Sequence, residues 1–192
     1  MRTDSPVGAV LAGGCGRRLG GGKPAVELGG RPLISYPLAA IAAAGLEAVV
    51  CAKPGEELPE VGVPVLCEPE APRHPLCGIV TALGEDRPVV AVACDLPFAT
   101  PGLIELLAEA PEPLVVPTIE GRMQPLLARY EPSLLPRLEA ALEREDPLTR
   151  IVESLRPRLL TEDELARFGD PRRLLLNVND PDDLQRAEAL LR

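Results

Sequence analysis

Aromatic residues are nearly missing from this sequence: no tryptophan, two tyrosines and two phenylalanines in 192 residues. The core must therefore be built from Leu, Val, Ala and Ile. There is one histidine, His74, and none of the five cysteines falls in a C-x-x-C pair, which argues against a structural zinc site. No apolar run approaches the ~20 residues of a membrane span. The N-terminus, MRTDSPVGAV, lacks the apolar stretch of a signal peptide, so a cytoplasmic protein is expected. Positive charge is also scarce. The formal net charge of −9 argues against non-specific binding to nucleic acid or to an anionic membrane.

What remains is ordinary globular composition, 46% hydrophobic and 26% charged, in a length that suits one domain over residues 1–192. The 23 prolines and 17 glycines are dispersed between periodic segments, which indicates tight loops rather than disorder.

Residues 8–24 read GAVLAGGCGRRLGGGKP. An apolar strand breaks into Gly13-Gly14, crosses Arg17-Arg18 and three glycines, and ends on Lys23. Glycines let backbone N–H groups approach a ligand closely, and successive N–H groups form an anion-binding concavity. With Arg17, Arg18 and Lys23 added, the loop suits a nucleoside triphosphate. It is not a Walker A loop, because Arg17 replaces the first Gly and Pro24 replaces the metal-binding hydroxyl. It is not a dinucleotide fingerprint either, because Leu19 stands at the third Gly. A solvated surface loop is the bland alternative. Cys15, within the loop, reads as a small residue or a reactive thiol. Cys51, Cys67 and Cys94 lie in apolar runs, where cysteine acts as a small buried hydrophobe.

Strands are expected at residues 7–12, 48–52, 63–67, 89–94, 114–117, 126–130 and 174–178. Helices are expected near 33–45, 76–83, 101–110, 134–143, 148–155 and 182–191. Pro37 predicts a kink or a late start in the first helix. Residues 117–123 suggest an insertion or hairpin over the site. Apolar strands alternating with helices indicate an α/β fold with a mostly parallel central sheet and helices on both faces. Ligands bind such sheets at the carboxyl ends of the strands. That rule puts the glycine loop, Glu68, Asp95, Asn177 and Asn179 on one rim.

Asp95 ends the most apolar strand. A carboxylate there costs desolvation energy unless it is paired, and Mg²⁺ ligation accounts for it better than helix capping. Asp180 before Pro181 reads as an N-cap. Asn177 and Asn179 would point the same way along a strand, as recognition groups or a second metal contact. Glu68 reads as a contact to a ribose, a base or the second substrate, or as a solvated rim charge. His74 reads as a loop residue rather than a catalytic base.

Taken in order, LAGG (from Leu11), RRLGGGK, PLCG (from Pro75), CDLPF (from Cys94), QPL (from Gln124) and NVNDPDDL (from Asn177) resemble the molybdenum cofactor guanylyltransferase family across nearly the whole chain. The resemblance implies a three-layer Rossmann-like nucleotidyltransferase fold. It implies transfer of GMP from GTP, with Mg²⁺, to the terminal phosphate of the molybdenum-pterin cofactor, releasing pyrophosphate. It also implies contacts with the proteins that make or receive that cofactor. By the same resemblance Leu11, Ala12, Gly13 and Lys23 contact GTP, and the loop reading adds Gly14 and Arg17 to the same binding site. Asp95 binds metal and nucleotide, and Asn177 and Asn179 lie near the pterin or the metal. Lys23, Arg18 and Asp95 would carry catalysis. The nucleophile is a phosphate oxygen already ionised at neutral pH, so no general base is needed. Four positions depart from the family pattern: Leu19 for Met, Gly22 for Asp, Cys51 for a nucleotide-contacting Asn, and Glu68 for Asp. The runner-up is a nucleotidyltransferase using CTP, or acting on a sugar or polyol phosphate. A non-catalytic nucleotide-binding module is a further alternative.

Overall fold

The computed structural model describes residues 5–14, 19 and 22–192. The first strand, β1 (Val7–Leu11), is buried along its whole length. A small hairpin follows, β2 (Glu27–Leu28) and β3 (Arg31–Pro32). Gly29 and Gly30 between them have φ of 56° and 77°, the left-handed pair that a two-residue hairpin turn requires. Helix α1 (Ser35–Ala43) places Pro37 in its first turn, where an N–H would have no intrahelical partner. The proline thus gives the late start and no kink. Next come β4 (Glu47–Ala52), β5 (Val65–Cys67), α2 (Leu76–Leu83), β6 (Val89–Ala93) and α3 (Pro101–Glu109). The second half holds β7 (Leu114–Ile119), β8 (Arg122–Met123), β9 (Leu127–Tyr130), α4 (Leu135–Glu143), α5 (Leu148–Ser154) and β10 (Arg158–Leu160). It ends with α6 (Glu162–Leu165), α7 (Pro171–Leu174) and α8 (Pro181–Leu191).

The main sheet runs β10-β7-β9-β6-β1-β4-β5, with β8 paired to β7. β1 sits between β4 and β6, parallel to both, with Val10 opposite Val50 and Val92. β9 lies antiparallel between β6 and β7. Side chains alternate across each strand, so the apolar runs divide between two cores. Val10, Val50, Val92 and Val115 meet Ile41 of α1 and Leu103, Ile104 and Leu107 of α3. Ala9, Leu11, Ala91 and Tyr130 meet Ile79 and Leu83 of α2, Leu138 of α4 and Val152 of α5. The mostly parallel sheet with helices on both faces is therefore as the apolar runs indicated. Gly8 is needed for the close approach of α1: a Cβ there would lie 2.3 Å from Ile41 Cγ2. A third, smaller cluster of Leu28, Leu33, Phe98, Val178 and Ala187 packs the hairpin and α8 against each other.

Three expectations need correction. Residues 174–178 form no strand. Asp170 caps α7 by accepting from Arg172 N at 2.9 Å, so Leu174 ends a helical turn and the chain continues as a loop. A short, mostly apolar stretch does not by itself separate strand from buried coil. The last strand is instead β10, parallel to β7, too short to show periodicity. Cys67 is exposed rather than buried, because β5 is the sheet edge. Residues 117–123 do form a hairpin, turning at Glu120 and Gly121 with φ of 50° and 72°. That hairpin does not line the cavity described below.

Candidate active site

Parallel strands end together, so β1, β4, β5 and β6 deliver their next residues to one rim. Those residues are Ala12-Gly13-Gly14, Lys53, Glu68 and Cys94-Asp95. A cavity of about 220 Å³ opens there, lined by Leu11, Gly13, Gly14, Lys23, Glu68 and Asp95 together with Arg73, His74 and Leu126. Ala12 is fully buried outside this lining, and its N–H is bonded to Cys51 O at 2.8 Å. Arg17, Arg18 and Cys15 lie outside the described residues.

Lys23 opens a short 3-10 turn after Gly22, whose φ of 57° suits glycine. Its side chain is 11% exposed, and its ammonium is the hub of the site. It donates to Asp95 Oδ2 in a short ion pair and to Asn179 Oδ1 at 2.8 Å. Asn179 reaches Lys23 from the turn before α8. There Asp183 Oδ2 accepts from Asn179 N at 3.1 Å, and Asp180 caps the helix by accepting from Asp183 N at 2.9 Å. Asp180 is therefore the N-cap its position predicted. Asn177 does not join the cluster: its Nδ2 donates to Leu175 O at 3.0 Å. With no strand there, the two amides are not held to one side.

Asp95 has two unlike oxygens. Oδ2 pairs with Lys23, while Oδ1 is buried with no hydrogen-bond partner among the described residues. A buried acceptor left unmade costs about 1–3 kcal/mol, so its position calls for a ligand. Among the described residues no group of three or more His, Cys, Asp or Glu side chains could hold a metal by itself. A single carboxylate oxygen suits Mg²⁺, which takes one or two carboxylates and fills its remaining positions with phosphate oxygens and water.

Glu68 is 4% exposed. Its carboxylate occupies the space that side chains on Gly13 and Gly78 would fill, with Oε1 at 2.5 and 2.9 Å from the two Cβ positions. It is neither solvated nor a free rim charge. Burial pushes its acidity toward higher pH, and the adjacent Lys53 charge pulls it back. Burial pushes the Cys51 thiol up to about 12, helped by the Glu68 charge. Burial, then the Asp95 charge, does the same for Cys94. Neither thiol supplies a thiolate at neutral pH. Nδ1 of His74 accepts from Leu76 N at 3.1 Å, so Nε2 carries the hydrogen facing Asp146 O at 3.0 Å. Both ring nitrogens are engaged, and His74 fixes a loop.

Lys53 and Arg73 escaped the reading of the sequence. Lys53 was findable: it follows the apolar run AVVCA just as Asp95 follows VVAVAC. Arg73 sits in a proline-rich loop that has no periodicity to place it.

Fold and site together put the chain among the α/β nucleotidyltransferases. It belongs to the MobA-like NTP transferase family, whose domain matches residues 8–159. A relative from Cereibacter sphaeroides called molybdenum cofactor guanylyltransferase is 33% identical, with 96% of each chain covered. One from Pyrococcus furiosus, called probable molybdenum cofactor guanylyltransferase, is 32% identical over 97% of this chain and 98% of its own. Among solved structures, the molybdopterin-guanine dinucleotide biosynthesis protein A of Archaeoglobus fulgidus superposes with a TM-score of 0.84 at 27% identity, covering 96% of this chain and 97% of that one. The resemblance carried by LAGG, CDLPF and NVNDPDDL is thereby borne out. No helix among the described residues is long and apolar enough to cross a membrane.

Proposed function

We propose that this protein is a cytoplasmic, Mg²⁺-dependent enzyme that transfers GMP from GTP to the terminal phosphate of the molybdenum-pterin cofactor and releases pyrophosphate. The observation that carries this reading is the buried Asp95 Oδ1, without a hydrogen-bond partner among the described residues, on the carboxylate that pairs with the Lys23 ammonium. Asp95 Oδ1 would hold the Mg²⁺, which when bound neutralises phosphate charge. Lys23 meets the negative charge that builds on the triphosphate as the acceptor oxygen attacks the α-phosphorus and pyrophosphate leaves. Asn179 holds the Lys23 ammonium in place. Glu68 offers two acceptors at one end of the cavity, matching the N1–H and 2-amino donors of guanine. Arg17 and Arg18 add positive charge to the same loop. The pterin and the proteins that supply or receive it would meet the open rim near Asn177 and Asn179.

Thermal unfolding with GTP, CTP, ATP and UTP, each with and without Mg²⁺, tests the reading. A ligand at 100 times its Kd adds about 2.7 kcal/mol of stability. Stabilisation by GTP–Mg²⁺, reversed by chelation and followed by pyrophosphate release when the pterin acceptor is added, supports it. Preference for CTP or UTP transfers the chain to another nucleotidyltransferase activity. Tight GTP binding without pyrophosphate release makes it a binding module.

A further inference from the structure

We propose that Lys53 is a positioning residue for nucleotide selection, acting through Glu68. This rests on the guanine reading of Glu68 given above. The parallel register of β4 and β5 ends with Ala52 opposite Cys67. One residue further, Lys53 stands beside Glu68, and Glu68 N is tied to Ala52 O at 2.8 Å. The Lys53 side chain is only 12% exposed. Its ammonium donates to Pro69 O at 2.5 Å and Pro72 O at 2.9 Å, and lies 3.5 Å from Glu68 Oε2. Two of the three N–H donors of this ammonium are thus engaged by carbonyls, and its charge is shared with the Glu68 carboxylate.

Two consequences follow from that geometry. Lys53 ties down residues 69–72, which lead directly into Arg73 and His74 on the cavity wall. It is also, among the described residues, the cation whose charge favours ionised Glu68. Among the described residues the other charge acting on Glu68 is that of Glu56, which disfavours ionisation, and Glu68 in turn raises the Cys51 thiol. Arg73 lines the same cavity, and its charge acts on Glu56. Without Lys53 the buried carboxylate takes up a proton more readily and stops offering two acceptors to guanine. Lys53 touches no substrate itself. It keeps Glu68 ionised and aimed across the Gly13–Gly78 gap.

The experiment measures GTP–Mg²⁺ and ATP–Mg²⁺ affinity by calorimetry from pH 5.5 to 8.5 for wild type, Lys53→Gln, Lys53→Met, Glu68→Gln and the Lys53→Gln/Glu68→Gln pair. Lys53→Gln keeps donors for the proline carbonyls and loses only the charge. It should bind GTP about tenfold more weakly at the acid end, with the gap closing toward the alkaline end and ATP little affected. In the Glu68→Gln background the same change should add less than about twofold. Wild-type GTP affinity and pH profile in folded Lys53→Gln would overturn the proposal. So would an equal loss with and without Glu68, which would make Lys53 a loop strut only. Lys53→Met, by comparison with Lys53→Gln, reads the loop contribution. A wild type that prefers CTP overturns the guanine reading instead, and the Lys53 series run on CTP then decides the role of Lys53 separately. A wild type that binds no nucleotide overturns both.

Discussion

Replacing Asp95 with Ala separates a functional carboxylate from a structural one. In the folded, ligand-free protein two effects oppose each other. The Lys23–Asp95 pair is nearly buried, with side chains 11% and 13% exposed. Breaking such a pair by deleting one partner costs about 3–5 kcal/mol, because the survivor is left uncompensated. The same substitution removes Oδ1, a buried acceptor without a partner among the described residues, and relieves about 1–3 kcal/mol. Asn179 still accepts from Lys23. The net loss should be about 0–4 kcal/mol by these two figures, centred near about 2. For a chain of this size that lowers Tm by at most roughly 16 °C. Turnover should fall by about a thousandfold or more, since a preorganised charge at the reacting phosphates is worth at least that of an oxyanion-hole donor. Calorimetric melting without nucleotide and pyrophosphate release with GTP, acceptor and Mg²⁺ measure the two halves. Mg²⁺-dependent turnover near wild type would refute the metal assignment. A Tm drop beyond 20 °C would show that Asp95 is chiefly a strut.

Lys23→Ala should lower kcat/KM by about 10²–10³-fold, because a preorganised donor is removed; steady-state kinetics that match wild type would exclude Lys23 from the reaction. Gly13→Ala and Gly8→Ala form an informative pair. Both create severe overlaps, at 2.5 Å with Glu68 Oε1 and 2.3 Å with Ile41 Cγ2, and each should cost about 1–3 kcal/mol of stability. Only Gly13→Ala should also weaken nucleotide binding, and equal affinities in the two variants would contradict the placement of Glu68. The raised pKa of Glu68 means that the folded protein holds its proton to higher pH than the unfolded chain does. Between the unfolded value, about 4.3, and the raised folded value, its contribution to stability therefore falls as pH rises. Denaturant unfolding of wild type and Glu68→Gln over that window should show the wild-type advantage shrinking toward neutrality, whereas parallel curves would mean that Glu68 is not perturbed.

The parallel sheet was legible because its central strands are buried on both faces and so appear as unbroken apolar runs. Asp95 and Glu68 were legible for a related reason: a carboxylate directly after such a run must sit at a strand end. The loop from Leu174 to Val178 was misread because its leucines are buried without belonging to a sheet, and burial alone leaves no period. Asn179 reached the site by a route unlike the one expected, through the capped turn of α8 rather than along a strand. The two-sided role of Glu68 was hidden, since it depends on what two distant glycines leave empty. Gly13 and Gly78 flank one carboxylate only after three separate elements have packed.

The third cluster of Leu28, Leu33, Phe98, Val178 and Ala187 has a bearing on durability. Lys23 and Asn179 come from opposite ends of the chain, and this small patch is what joins their supports. It is separate from the two large cores that hold the sheet. A unit with so little apolar contact can open locally while the strands stay paired. The Lys23–Asn179 contact is thus built on a seam with far fewer buried apolar side chains than either large core. On warming, the ammonium and its amide partner should part company while the sheet is still whole, so activity is lost before fold.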